Sequence, residues 1–179
     1  MASNNNACSI RDLALWVGLY RIALGIMWLQ MALAKAPWVI GPEGKPYGWL
    51  YGYIWKEINH PTFAFYTEFL KSVLLPNFSF FGFISFVTEI AIGISLVLGL
   101  LVPLIGGLGG TFMQINIMLG SYSIPGEWFW LWPMLIGSHI IFMMGRAGRR
   151  LGLDGPISRS LAQSPGSGGM LHRLLPYIV

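Results

Sequence analysis

Four runs of apolar residues punctuate the chain: about Leu13 to Ala36, Phe80 to Val102, Leu104 to Tyr122 and Trp128 to Met144. A helix needs about 20 mostly apolar residues, at 1.5 Å rise each, to cross about 30 Å of hydrocarbon. All four runs qualify, the last two being short. Pro103 leaves a very tight connection between the second and third runs, and Ile124-Pro125-Gly126 makes another before the fourth. Short connections make neighbours antiparallel, which predicts an all-α, up-down bundle of four transmembrane helices. Residues 37–79 break the pattern: they are rich in aromatics and set Lys45, Lys56 and Lys71 against Glu43, Glu57 and Glu68. This stretch reads as a structured cap on the outer side. Within it Tyr66, Phe69, Leu70 and Val73 recur at i, i+3, i+4 and i+7, predicting a short amphipathic helix at the interface. Residues 1–156 then form one transmembrane domain and 157–179 a cytoplasmic tail. In that tail Ser164–Gly169 is a flexible linker before the apolar stretch Leu171–Val179.

Composition narrows the class. Of 179 residues 55% are hydrophobic and only 10% charged, against about 25% charged in a soluble globular chain. So little charge argues against a soluble enzyme. The +4 net charge comes from thinly scattered basic residues, so no nucleic-acid partner is expected. The single Cys8 excludes an internal disulfide, a CxxC redox pair and a thiolate-held iron–sulfur cluster.

Charge placement gives an orientation. Arg146, Arg149, Arg150, Arg159 and Arg173 come after the fourth run, offset only by Asp154. The positive-inside rule puts the C-terminus in the cytoplasm, and four crossings return the N-terminus to the same side. Trp38, Trp49, Trp55, Trp128, Trp130 and Trp132 then fall at the outer interface, as an aromatic belt does. The run before Ala32-Leu33-Ala34 is long and contains Arg21, so it reads as an anchor and not a cleaved leader.

Ionisable groups within a membrane are costly, and each is a candidate site. Arg21, Glu89 and His139 lie inside the runs, with Gln114 and Asn116. Counted along ideal helices, Arg21, Glu89, Gln114 and His139 lie about 12 to 16 Å from the inner face, one per helix at nearly one level. Gln114 and Asn116 are two apart and cannot both face the axis, and depth favours Gln114. Arg21, Gly25, Trp28, Ala32 and Lys35 form one stripe, with Lys35 at the outer mouth. Glu89, Gly93 and Leu96 form the matching stripe on the second helix, and Gly106 and Gly110 are spaced for close packing. Two readings stay open. Arg21 and Glu89 neutralise each other and fix helix register, with Gln114 and His139 closing a structural network and Trp28 as packing. Alternatively the same groups bind and turn over a ligand.

The chemistry is bounded by what is missing. Paired-histidine haem needs a second histidine beside His139, whereas His60 is in the cap and His172 in the tail. No iron or zinc ligand spacing occurs, so no metal is assigned. A quinone fits: Arg21 or His139 donate to its carbonyls, Trp28 and Gln114 line it, Glu89 moves its proton, and its tail lies in lipid.

Several motifs together resemble the DoxX/DoxD family over roughly residues 15 to 156. They are Arg21-Ile-Ala-Leu-Gly25 followed by Lys35, and Glu89-Ile-Ala-Ile-Gly93 followed by Gly99 and Pro103. The ending Gly145-Arg146-Ala147-Gly148-Arg149 with Leu153-Asp154-Gly155 belongs to the same pattern. Tyr66, Phe69-Leu70 and Pro76-Asn77 resemble the DoxD branch. Where many relatives carry a His-Gly pair ahead of the lysine, this chain has Gln30 and Met31. The resemblance implies a multi-pass subunit of the prokaryotic plasma membrane, part of a thiosulfate:quinone oxidoreductase that joins two thiosulfates into tetrathionate. It also implies that Arg21, Lys35 and Glu89 are the catalytic positions. The alternative is a non-catalytic accessory subunit of a larger respiratory or photosynthetic membrane complex, whose neighbours hold the Asn-rich N-terminus and the Ser/Gly linker.

Overall fold

The computed structural model describes residues 4–163; the Ser164–Gly169 linker, the Leu171–Val179 stretch, His172 and Arg173 lie outside the described residues. Within them the chain is all-helical: α1 (Asn4–Ala34), α2 (Leu50–Asn59), α3 (Ala64–Phe69), α4 (Phe78–Leu98), α5 (Gly110–Ser121), α6 (Leu131–Met144) and α7 (Asp154–Gln163). Two π-helical segments, Leu70–Leu74 and Val102–Gly109, precede α4 and α5, and a 3-10 turn spans Ala147–Arg149.

Three helices are long and apolar enough to cross a membrane: Leu13–Ala34, Phe78–Leu98 and Val102–Ser121. They turn large apolar side chains outward, among them Ile26 and Leu33 on α1, Phe83 and Val87 on α4, and Phe112 on α5. Such faces are compatible with contact to lipid. The fourth apolar helix, α6, has 14 residues, about 21 Å of helix and shorter than a hydrocarbon core. It packs along the Val102–Gly109 segment and α5, while α1 packs chiefly on α4.

Glycines set the α1–α4 distance. A Cβ on Gly25 would lie 2.9 Å from the Leu96 Cβ, and one on Gly93 would lie 2.7 Å from the Leu29 side chain. Neither can be accommodated at this spacing, so the two stripes meet backbone to backbone. Leu24, Trp28, Ile92, Leu96, Val102 and Phe142 fill the core between the helices.

The turn between α4 and the next helix is built on Gly99 and Leu101, both left-handed (φ 65° and 52°). A leucine there costs roughly 1–2 kcal/mol. Asp154 offsets that strain: its carboxylate accepts the backbone N–H groups of Leu101 at 2.7 Å and Val102 at 3.0 Å. The first turn of α7 therefore locks the α4 turn, a role beyond the charge offset assigned from sequence.

Residues 37–77 fold over one end of α1 and α4 around a second core of Tyr47, Ile54, Ile58, Leu70 and Phe78. Here the helix expected from Tyr66, Phe69, Leu70 and Val73 forms, with Tyr66, Phe69 and Leu70 packed on this core. Its second half is a π turn closed by Leu75 N–H to Leu70 O at 2.9 Å, which corrects the facing of Val73. The wider π turn rotates the residues after its start, so Leu70 is buried and Val73 is exposed.

Candidate functional site

Antiparallel packing of α1 on α4 decides which charges meet. The Lys35 Nζ lies 2.5 Å from Glu89 Oε1, both side chains buried, and Ser85 Oγ donates to the same oxygen at 3.3 Å. Glu89 Oε2 has no hydrogen-bond partner. The pairing of Arg21 with Glu89 expected from sequence is not made. The glycine contacts at Gly25 and Gly93 fix a register in which Glu89 faces Lys35, 14 residues and about 21 Å along α1 from Arg21.

Arg21 instead reaches the far end of α4. Its Nη2 donates to Leu151 O at 2.9 Å, and Nη1 is wedged beside Gly99, where a Cβ would collide with it. Arg21 is fully buried, and its Nε and Nη1 make no hydrogen bond. Asp154 also acts on it electrostatically.

His139 and Trp28 occupy an intermediate level. Trp28 Nε1 donates to His139 Nε2 at 3.1 Å. The imidazole therefore carries its proton on Nδ1, which donates to Gly106 O at 2.6 Å. A Cβ on Gly110 would collide with His139 Nδ1, so that glycine makes room for the ring. Both ring nitrogens are engaged, which leaves His139 no free donor for a quinone carbonyl.

Gln114 is buried with its Oε1 unpartnered, whereas Asn116 is turned outward and donates to Phe112 O at 2.8 Å. Measured from the α4 turn, Glu89 lies ten residues from Gly99, about 15 Å of helix, and Gln114 lies twelve residues from Val102. The single level expected for four polar groups is thus corrected to a stagger. Arg21 is at the turn, His139 and Trp28 come next, Glu89 and Gln114 lie higher, and Lys35 is furthest.

Lys35 is not an open charge at a mouth. It is 6% exposed, and the Trp49 ring centroid lies 5.0 Å from its Nζ. The same region holds a group that sequence reasoning passed over. Glu57 on α2 is buried, accepts from Ser121 Oγ at 3.0 Å, and fits against Gly120, where a Cβ would collide with its carboxyl group. Burial pushes Glu57 up to about 7, against the opposing pull of Ser121 and Lys35. A signal was present: Glu57 shares a helix face with Ile54 and Ile58, and all three are buried. One turn earlier Tyr53 donates to Glu127 Oε1 at 3.1 Å.

Two open cavities adjoin these residues. One of about 420 Å³ is lined by Glu43, Trp49, Gly52, Tyr53 and Lys56, and another of about 370 Å³ by Lys56, His60, Pro125 and Glu127.

Comparison with protein-family models, curated proteins and solved structures finds no match to this chain.

Proposed function

We propose that this chain is a multi-pass membrane subunit of a quinone-linked oxidoreductase of the DoxX/DoxD type. In it Leu131–Met144 is the fourth crossing, residues 37–79 form an outer cap, and both termini are cytoplasmic in a prokaryotic plasma membrane. The observation that carries the reading is the Lys35–Glu89 ion pair held among apolar helices, with Glu89 Oε2 left without a partner. A buried carboxylate oxygen lacking a donor is unfavourable unless something supplies one.

A quinol hydroxyl is such a donor, and the unpartnered Gln114 Oε1 is a second acceptor at similar height. Those two residues would hold the head group. Arg21 and His139 do not fit the task, because Arg21 is packed against Gly99 and both nitrogens of His139 are engaged. A bound quinone supplies a two-electron, two-proton acceptor. Glu89 then exchanges the proton and Lys35 stabilises its carboxylate. Thiosulfate, an anion, meets Lys56 in the outer cavities, where two molecules give up one electron each as their sulfurs join.

The test is thiosulfate-dependent quinone reduction by the purified complex in nanodiscs. Glu89→Gln abolishes turnover in a protein that still assembles; full activity of that variant overturns the reading.

A second reading, a non-catalytic accessory subunit of a larger membrane complex, is favoured by the saturation of His139 by Trp28 and Gly106. Purification in mild detergent tests it together with the activity assay: co-eluting subunits with activity unchanged in Glu89→Gln support it, and a lone chain defeats it.

A further inference from the structure

Three side chains fasten α2 and the residues after it to the end of α5. Thr62 holds that end from both directions: its hydroxyl donates to Gly120 O at 3.4 Å and accepts from the Ser123 backbone N–H at 3.1 Å. Tyr53 donates to Glu127 at 3.1 Å, on the turn that follows α5. Glu57 makes the third tie. Its carboxyl group lies on the last turn of α5, where Ser121 Oγ donates to Oε1 at 3.0 Å. A Cβ on Gly120 would collide with that carboxyl group, so the glycine makes its seat.

The seat suits an acid better than a carboxylate. Glu57 is buried, and among the described residues it has no ion-pair partner. Its bond from Ser121 is a neutral one. The carbonyl end of a helix carries partial negative charge, so an anion on the last turn of α5 is repelled as well as desolvated. The surrounding charges do not reverse this. α5 has no ionisable side chain. Tyr53 on the same helix, Tyr66 on α3 and Glu127 after α5 add no positive charge. Lys56, His60 and Lys71 are exposed to water. Lys35 on α1 favours the anion, but burial outweighs it and leaves Glu57 raised to about 7.

The same joint closes a cavity. The 370 Å³ cavity has Lys56 and His60 at the end of α2 on one side, and Ile124, Pro125 and Glu127 of the turn after α5 on the other. Glu57 draws those two walls together through Ser121.

We propose that Glu57 is a protonation-controlled latch: as an acid it seats α2 on the end of α5, and as a carboxylate it leaves the seat, so that α2 lifts and the cavity widens. Thr62 remains as the hinge, because its bonds carry no charge. One proton passes from Glu57 to water as the latch opens and returns as it closes. The latch goes beyond the quinone reading and does not depend on it.

Hydrogen exchange of the full chain in nanodiscs, read by mass spectrometry, tests the latch. Protection of α2 amides, corrected for the intrinsic pH dependence of exchange, is expected to fall roughly tenfold per pH unit between about pH 5 and 7 and to level off above, since opening releases one proton. Amides of α4 keep their protection over the same range. In Glu57→Gln, which keeps the shape and stays neutral, α2 protection no longer depends on pH. Widening of the cavity is read by maleimide labelling of Cys8→Ser chains carrying Ile124→Cys, since Ile124 is buried and lines that cavity. Labelling at about pH 8 is expected to be at least several-fold faster with Glu57 than with Glu57→Gln, and equal in the two at about pH 5. Level α2 protection in the wild type, or a fall that persists in Glu57→Gln, overturns the latch. So does an equal fall in α4, which is unfolding of the whole chain, or labelling at pH 8 that ignores Glu57→Gln. Quinone reduction is no readout here, so either reading can fail alone.

Discussion

Lys35 and Glu89 meet at 2.5 Å between α1 and α4, and each is the other's ionic partner in an apolar setting. Breaking such a pair from one side strands the remaining charge and typically costs about 3–5 kcal/mol, whereas replacing both partners by apolar groups is often neutral. Lys35→Met and Glu89→Leu are each expected to lower the melting temperature in detergent sharply, and the double variant to recover most of the loss. Additive losses in the double variant would show that the two side chains do not act as a pair.

Gly110 and Gly137 form a matched test of helix packing. A methyl on Gly110 would enter the His139 ring, while nothing lies within 4 Å of one on Gly137. Gly137→Ala gains helix propensity, about 0.8–1 kcal/mol. Gly110→Ala is expected to destabilise by roughly 1–3 kcal/mol through displacement of the ring and its bonds to Trp28 and Gly106. Equal effects in thermal melts would mean that the helices pack more loosely than this.

How far the sequence reaches is clear from the same helices. Helical spacing picked out Arg21, Gly25, Trp28, Ala32 and Lys35 as one face of α1, and all five are buried. Periodicity reports a face but not how far one helix is slid along another, so it could not say whether Arg21 or Lys35 meets Glu89. That register depends on Gly25 against Leu96 and Gly93 against Leu29, contacts between elements distant in sequence. The π turn at Leu70–Leu74 changes the number of residues per turn, so periodicity placed Tyr66, Phe69 and Leu70 correctly and Val73 wrongly. Glu57 was legible from Ile54 and Ile58, yet a charge count of the connection averaged it away as one of three glutamates. Asp154 was visible as part of a motif, but its two backbone partners on a left-handed turn were not.

Asp154 therefore carries a prediction of its own. Its two oxygens accept from Leu101 and Val102. Asn offers only one acceptor and turns an N–H₂ group toward the second backbone donor. Asp154→Asn is expected to cost about 1–3 kcal/mol, the penalty of one buried unsatisfied donor. Leu101→Gly relieves the left-handed strain at φ 52° and is expected to restore part of that loss. Chemical denaturation in detergent measures both; an Asn variant as stable as the parent removes Asp154 from the lock.

The pH dependence of stability has a definite sign, set by Glu57. Its carboxyl rises from 4.5 to about 7 on folding, chiefly through burial. The folded protein therefore binds the proton more tightly than the unfolded chain does, and protonation favours the fold. That contribution, on the order of 3 kcal/mol, is fully present below about pH 4.5 and is lost as pH rises through about 7. Melting temperature should fall between about pH 5 and pH 8 in the wild type. In Glu57→Gln the side chain stays neutral and its share of that slope disappears. Lys35→Met acts in the opposite direction, steepening the decline at high pH because the attraction of the Lys35 ammonium for ionised Glu57 is then lost. A slope unchanged by Glu57→Gln would place the titration on another group and remove Glu57 from the account.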